Sequence, residues 1–596
     1  MMRVADYIMQ RLLNAGVKHV FQVTGRGALF LSDALAKQTD LCGVSLHHEQ
    51  SCAFASISYA EQTGGVGACL VSTGCASTNT MTGVLSAWQD GIPCIFISGQ
   101  NVLNETIRHT GIPLRTYGQQ EADIVSLVTP ITKFARMLTK PEEIVEVMDL
   151  AFDAALTGRK GPVWIDIPLD LQSSLIDPEQ IAISTSLRSA KASTCDDNEV
   201  LGVIKEIESS KRPVVLIGSG ISSSKAEDRL KTFVENWQIP VTFSASAPDI
   251  YGSSNELSIG SVGAMGCSRA GNFAIANADL VIVLGSRLNS LTTGIDFCKF
   301  AREARTIVID IDNIEHSKNG IRIDQFIESD VAYFLDKILQ HDAIISDTSW
   351  LENCKHWKQI FKDIEPDFKS TNEVDLYQLA DVLGKKLPSQ STIVTDSGLA
   401  EVILPSNIQF SDGMKCIHPA SQGAMGFALP ASIGAQHASD NTVLTVIGDG
   451  SIMMNLQELE SIRYQKLPIK IIVINNNVYS IIRRRQRDLF RKRTIGTDPE
   501  NGVSCPDFSE VAKCFGIEYL KISSIDELES GLDTMFAKQG PVLCEIMGRV
   551  DQSYIETGHA RSAIDGRFVR RPLEDQQPFL PRELFLSEMI IEPIDQ

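Results

Sequence analysis

Two short apolar runs rich in β-branched residues limit what this chain can fold into. They are Val443-Leu444-Thr445-Val446-Ile447 and Ile469-Lys470-Ile471-Ile472-Val473-Ile474. Each has the length and composition of a parallel strand buried on both faces. Each stops on small polar residues. The first ends in Gly448-Asp449-Gly450-Ser451, the second in Asn475-Asn476-Asn477, and Asn476 follows Asp449 by 27 residues. In open α/β sheets, ligands bind beyond the carboxyl ends of the strands. A carboxylate oxygen and an amide oxygen there, with glycines beside them, suit Mg²⁺ held against a phosphate. Asp-Gly and Asn-Asn also make ordinary turns. The pairing of the two motifs at two strand ends carries the functional reading.

Similar runs recur in three blocks. His19–Val23, Gly67–Val71, Cys94–Ser98 and Pro162–Ile167 form one. Pro213–Ile217, Leu280–Leu284 and Thr306–Ile311 form a second, and Thr392–Thr395, Val443–Ile447, Ile469–Asn475 and Pro541–Ile546 a third. Strand runs alternating with helical patterns predict an α/β protein of three doubly wound parallel-sheet domains. A chain of 596 residues is too long for one core. The expected domains are 1–175, 195–345 and 372–560, with a tail at 561–596. Two polar stretches, Leu171–Asn198 and Ile345–Glu373, read as linkers. The tail has few periodic elements and is expected to pack over the active-site face.

A formal charge of −20 argues against nucleic acid or an anionic membrane as the main partner. Thirteen cysteines without CxxC pairs fit a reducing cytoplasm. The N-terminus reads as an amphipathic helix with Val4, Ile8, Leu12 and Leu13 on one face, not a signal peptide. No run of 18 apolar residues predicts a membrane span.

Further segments surround the strand-end motifs. Leu46-His47-His48-Glu49-Gln50 follows a short apolar strand, and Ser72-Thr73-Gly74-Cys75-Ala76-Ser77-Thr78-Asn79 is a small-residue loop. Ser98-Gly99-Gln100, Gln119-Gln120-Glu121 and Gln422-Gly423-Ala424-Met425-Gly426-Phe427 complete the set. On these segments and the Asp449/Asn476 pair, the chain resembles the acetolactate synthase-like branch of the thiamine-diphosphate enzymes. The resemblance extends over nearly the whole length. It implies a pyrimidine-binding first domain, a flavin-type central domain and a diphosphate-binding third domain.

The resemblance also implies residue roles. Glu49 hydrogen-bonds the cofactor's aminopyrimidine and starts the proton transfer that activates it. Gly25, Ser72, Thr73, Gly74 and Asn79 line the pyrimidine loop, and Gln120 faces the substrate. Met425 wedges between the cofactor's rings, and the Gly423 carbonyl accepts from its amine. Gly448, Gly450 and Ser451 face the diphosphate, at a helix N-terminus. Asp449, Asn476 and the Val478 carbonyl bind Mg²⁺. Gly218, Gly220, Arg287 and Asp310 match positions that hold FAD in the family. Many enzymes with such a middle domain bind none, so FAD stays an open expectation. The family's active sites form between two subunits, which implies a homodimer or homotetramer.

Three departures stand out. The loop has Cys75-Ala76 where the family carries Pro-Gly. Glu401 aligns with a glutamine that faces the diphosphate, and an acid there repels phosphate unless it turns away or pairs with a base. Ser290 and Leu291 stand where acetolactate synthases have an aspartate and the arginine that grips the second keto acid. Meanwhile Arg483, Arg484 and Arg485 follow the metal loop closely and form a candidate acceptor-binding anion site. With the tail, they resemble a subgroup of surface-polysaccharide and sugar biosynthesis. The expected reaction is decarboxylation of a 2-keto acid, pyruvate first, with transfer of the two-carbon unit to a carbonyl acceptor such as a nucleotide-linked ketosugar. The alternatives are an acetolactate synthase, a simple decarboxylase, or a silent scaffold on the same fold.

Overall fold

The computed structural model describes residues 1–181, 193–343, 348–363, 372–561 and 566–594. Three six-stranded sheets, parallel throughout, form the layers of three domains. In the first, the spatial order is Cys42–Ser45, His19–Gln22, Gly67–Val71, Cys94–Gln100, Val163–Pro168, Phe134–Met137. The third repeats that order with Lys415–Ile417, Ser391–Thr395, Thr442–Gly448, Lys470–Asn475, Val542–Met547, Glu518–Ile522. The middle sheet runs Ser258–Ser261, Val241–Phe243, Pro213–Ile217, Leu280–Leu284, Arg305–Asp310, Gln325–Glu328. Numbered by sequence this is 3-2-1-4-5-6, the order of dinucleotide-binding folds, with its switch point between Pro213–Ile217 and Leu280–Leu284.

Every predicted strand is present within two residues at either end. Within the three six-stranded sheets, the strands that sequence patterning missed are Phe134–Met137, Val241–Phe243, Ser258–Ser261, Gln325–Glu328, Lys415–Ile417 and Glu518–Ile522. All but Val241–Phe243 are sheet edges. An edge strand is covered less completely, so it lacks the continuous apolar run of a central one. Glu518–Ile522, for example, buries only Ile522.

Both linker readings need correction. Within Leu171–Asn198, Leu175–Ile176 pairs antiparallel with Met2–Arg3, while residues 182–192 lie outside the described residues. In Ile345–Glu373, Ser349–Ile360 is a helix. It buries Trp350, Leu351, Cys354 and Trp357, a helical repeat that Ser, Lys and Glu neighbours disguise as polar linker. These side chains join the middle domain's core.

The tail is corrected too. Arg571 through Gln576 are all buried. Leu573, Leu580 and Phe585 enter the core of the middle domain, where Phe585 packs edge-on to Phe273. The ion pair Arg302–Glu574 at 2.6 Å fastens it there, and Arg582–Asp575 at 2.8 Å braces the tail internally. The tail therefore completes the middle domain. It also pairs with the end of the third domain through Glu556 and Gln577.

The first and third domains pack directly on each other and share one apolar cluster. Helix Glu49–Thr63 crosses helix Ala428–Ala438, with Phe54 against Phe427 at 5.1 Å. Each such buried aromatic contributes roughly 2–3 kcal/mol. Gly434 sits so close that a Cβ there would lie 2.0 Å from the Ala55 carbonyl. Among the described residues, no helix is long and apolar enough to cross a membrane.

Candidate active site

In the third domain, the ends of Thr442–Gly448 and Lys470–Asn475 are neighbours in the sheet. Asp449 lies between them, 3% exposed. Its carboxylate accepts backbone N–H bonds from Gly450 at 2.7 Å, Asn476 at 3.1 Å and Asn477 at 2.5 Å. Burial pushes its pKa up, and those three donors oppose the shift. Asn476 is oriented by its amide, which donates to Ser480 at 2.6 Å. Gly450 cannot be replaced, because a Cβ would fall 2.0 Å from the Tyr479 ring. Among the described residues no three His, Cys, Asp or Glu side chains could hold a metal. One buried carboxylate beside amide and carbonyl oxygens fits Mg²⁺ that takes its remaining ligands from phosphate and water.

Ser451 departs from expectation. Its hydroxyl donates to Asp396 at 2.5 Å and accepts from the Gly426 amide at 3.0 Å. It thus ties the diphosphate loop to the Gly423–Gly426 segment, and only a short 3₁₀ turn, Ile452–Met454, follows it. Asp396 was missed in the sequence. It is fully buried at the end of Ser391–Thr395 and also accepts from the amides of Ser397, Gly426 and Ala428. Burial raises its pKa to about 6, against those donors. The available signal was a strand ending in Thr395-Asp396-Ser397-Gly398, like the strand ending at Asp449. Met425 is only partly buried, so it is not a core methionine, and Gly423 adopts a positive φ of 58°.

Glu401 has the base that its position requires. Its carboxylate lies 3.7 Å from Nδ1 of buried His418, too far for a direct hydrogen bond but within ion-pair reach. His418 Nε2 is 2.9 Å from the Ala245 carbonyl. Burial opposes protonation of His418, and the Glu401 and Asp90 carboxylates overcome it, so the pKa is raised.

The carboxyl end of the first sheet gathers the other segments. Gly25 backs onto Ser72, whose hydroxyl accepts from the Gly27 amide at 3.0 Å. Thr73 donates to Gln100 at 2.6 Å, and Gln100 donates to Asp166 at 3.1 Å. Asp166, also missed in the sequence, is buried and accepts from Ser98 at 2.6 Å; burial raises its pKa to about 7. Gly74 has φ 64°, and a Cβ on it would lie 1.8 Å from the Gln120 carbonyl. That contact sets exposed Gln120 directly on the loop, itself at φ 58°. Asn79 donates to Glu49 at 2.9 Å. Glu49 opens helix Glu49–Thr63.

The two ends meet through Asn455. Its side chain joins Ser51 at 3.1 Å, Gln50 at 3.2 Å and the Gly426 carbonyl at 2.9 Å. Glu49 itself has no hydrogen bond to Asp449 among the described residues.

The arginine run separates into unlike members. Arg483 pairs with Asp498 at 3.1 Å and Asp551 at 2.9 Å. Arg484 pairs with Glu556 at 2.8 Å and lies 4.7 Å over the Tyr554 ring. These two do not stand free as an anion site, which corrects the expectation drawn from the run. Among the described residues Arg485 has no carboxylate partner, only the Met265 sulfur at 3.8 Å.

In the middle domain, Gly218, Gly220 and Gly285 pack backbone to backbone at the switch point. Gly220, Arg287 and Asp310 line a cavity of about 600 Å³ beyond the strand ends. Its size suits a nucleotide. An adjoining cavity of about 40 Å³ shares Ser219, Gly285 and Arg287 with it.

The matches to family models follow the same three layers. Residues 2–127 match the thiamine pyrophosphate enzyme N-terminal TPP binding domain, 200–338 the central domain, and 396–546 the C-terminal TPP binding domain. The chain is 31% identical over 562 residues to the acetolactate synthase large subunit of Pyropia yezoensis, covering 90% of each. This chain is a thiamine-diphosphate enzyme of the acetolactate synthase-like family. It is also 32% identical over 564 residues to the probable acetolactate synthase large subunit of Methanocaldococcus jannaschii, covering 92% of each chain. Against acetolactate synthase isozyme 2 large subunit of Escherichia coli it is 30% identical over 554 residues, covering 91% of this chain and 95% of that one. The first and third domains are thus its two TPP binding domains.

Proposed function

We propose that the protein decarboxylates a 2-keto acid, pyruvate being the expected donor, and joins the two-carbon unit to the carbonyl of a second 2-keto acid. This is the acetolactate synthase reading, and the names of its relatives favour it. The observation that carries the chemistry is the pair of prepared strand ends, Asp449 held by three backbone amides and Glu49 held by Asn79. Bound thiamine diphosphate supplies the nucleophilic carbon and the electron sink. The chain supplies the rest. Asp449, Asn476 and the Val478 carbonyl would hold Mg²⁺, and Gly448 and Gly450 would leave room for phosphate. Glu49 holds a proton at the pyrimidine ring. Gln120 orients the substrate beside the Ser72–Gly74 loop.

A nucleotide-linked ketosugar as acceptor is the second reading. The absence of a cationic side chain at Ser290 and Leu291 favours it, and the ion pairs of Arg483 and Arg484 weigh against it. Mass spectrometry of products from labelled pyruvate, with 2-ketobutyrate or a ketosugar added, separates the two. Acetolactate or acetohydroxybutyrate supports the first reading, and a two-carbon-extended sugar alone would replace it.

We also infer a homodimer. Exposed Ile112, Leu114 and Tyr117 near Gln120, and Met453 and Met454 after Ser451, put bare apolar surface beside both half-sites. Sedimentation of the active species as a monomer would remove this inference. FAD is proposed for the 600 Å³ cavity, and a purified protein without flavin absorbance after reconstitution would exclude it.

A further inference from the structure

Strand Val542–Met547 reads Val-Leu-Cys-Glu-Ile-Met, and the glutamate interrupts an otherwise apolar run. Glu545 is 5% exposed. Its neighbours across the sheet are Val473 and Lys521. A carboxylate taken out of water costs free energy unless its oxygens find donors. Both oxygens do. One accepts from the Asn475 side-chain amide at 2.5 Å, and the other accepts from the Tyr519 hydroxyl. The Lys521 ammonium lies 3.8 Å off, beyond hydrogen-bond reach.

Asn475 is the first of the three asparagines at the metal loop and the last residue of strand Lys470–Asn475. Its backbone carbonyl accepts from the Gly548 amide at 3.0 Å, which pins the main chain to the neighbouring strand. Its side chain has two unlike ends, and Glu545 decides which way they face. A carboxylate accepts and does not donate, so the Asn475 NH₂ must turn toward it. The side-chain oxygen of Asn475 is thereby turned toward the loop, where it accepts from the Asn477 amide at 3.1 Å. The same Asn477 N–H donates to Asp449 at 2.5 Å. Asn477 has φ 55°, a left-handed conformation that a residue with a Cβ keeps only where its surroundings hold it. A line of hydrogen bonds therefore runs from Tyr519 on the edge strand through Glu545, Asn475 and Asn477 to Asp449. With the Asn475 amide reversed, its NH₂ would face the Asn477 N–H, donor against donor, and the turn would lose this bond.

We propose that Glu545 is a positioning residue for the Mg²⁺ loop. By orienting the Asn475 amide it holds the turn at 475–478, which carries Asn476 and the Val478 carbonyl, in its binding shape. This rests on the Mg²⁺ reading above. Glu545 acts through Asn475 and not on the ion itself.

Two readouts test it. One is amide hydrogen exchange of the peptide spanning residues 475–480 in protein free of metal and cofactor. The other is Mg²⁺ affinity by titration calorimetry at saturating thiamine diphosphate. Glu545→Leu keeps bulk and offers no acceptor. It is expected to speed exchange in the loop and to weaken Mg²⁺ binding by about tenfold, the scale for groups that orient metal ligands. Glu545→Gln still offers Asn475 an acceptor and recovers most of both. Tyr519→Phe cuts the line on the far side of Glu545, so it lowers the melting temperature and leaves both readouts near wild type. If Glu545→Leu does not fold, Asn475→Ala carries the same expectation. Wild-type exchange and affinity in Glu545→Leu would overturn the proposal. So would a Tyr519→Phe variant that loses as much Mg²⁺ affinity as Glu545→Leu, because affinity would then follow stability alone. A wild type that binds neither Mg²⁺ nor thiamine diphosphate overturns the metal-site reading instead. The exchange comparison, made without either, still decides whether Glu545 holds the loop.

Discussion

The first and third domains are built on one strand order and anchor their cofactor loops differently. Each places a buried aspartate under its loop. In the third domain Asp396 reaches the loop through Ser451, and three backbone amides also bond it. In the first domain Asp166 reaches Thr73 through Gln100, and its two hydrogen-bond donors, Ser98 and Gln100, are side chains. Backbone donors cannot rotate away, so they favour the ionised carboxylate. Burial raises the pKa of both aspartates, against those donors. On the proposed function, the third domain would take the diphosphate and its metal, and the first a neutral ring with Glu49 at its edge.

The comparison breaks most visibly at Asp449. Asp449→Ala removes the only anionic protein ligand proposed for Mg²⁺. The expected loss of thiamine-diphosphate affinity is roughly 3–5 kcal/mol, as for removing one partner of a buried pair. Calorimetric titration with cofactor and Mg²⁺ measures it, and unchanged affinity would contradict the charge-holding role of this domain. Glu49→Gln should act on the other side of the comparison. Cofactor affinity persists while kcat falls by about a hundredfold or more, the scale of a lost acid–base group. A variant that turns over like wild type removes Glu49 from the chemistry.

The two buried aspartates sharpen the contrast. Asp396→Asn turns an amide nitrogen toward at least one backbone N–H and is expected to cost about 1–3 kcal/mol of stability. Asp166→Asn costs less, within about 1 kcal/mol, because the Ser98 hydroxyl can turn to accept from the new amide. The pH dependence has a definite sign. Both folded-state values lie above the ordinary aspartate value of 3.8. The stability from each proton is present in full below that value and is lost as pH rises through about 6 for Asp396 and about 7 for Asp166. Melting of the apo-protein at pH 4 and pH 8 reads this out. Asp166→Asn should gain on wild type as pH rises. A difference that stays flat with pH shows that Asp166 does not titrate in this window.

Much of the fold was legible because central parallel strands are continuous apolar runs. Gly67–Val71, Pro213–Ile217 and Leu280–Leu284 were read to the residue. The edge strands and helix Ser349–Ile360 were not, since half-covered elements carry mixed sequences. Asp449 and Asn476 were legible as a site because two strand-end motifs declare themselves locally. Glu401 was read as an anomaly that needs a base, and tertiary packing supplied His418.

What the sequence determined by itself is local: strand runs, strand-end motifs and the family they mark. Which arginine is free was not among these. Among the described residues, Arg483 and Arg484 are neutralised by Asp551 and Glu556, dozens of residues away, and Arg485 is not. The burial of Arg571–Gln576 and the two anchoring aspartates belong to the same class. A charge's partner and a carboxyl's pKa depend on what folding brings within a few ångströms and on how much water it removes. Neither is encoded in neighbouring residues, so only the tertiary structure decides them.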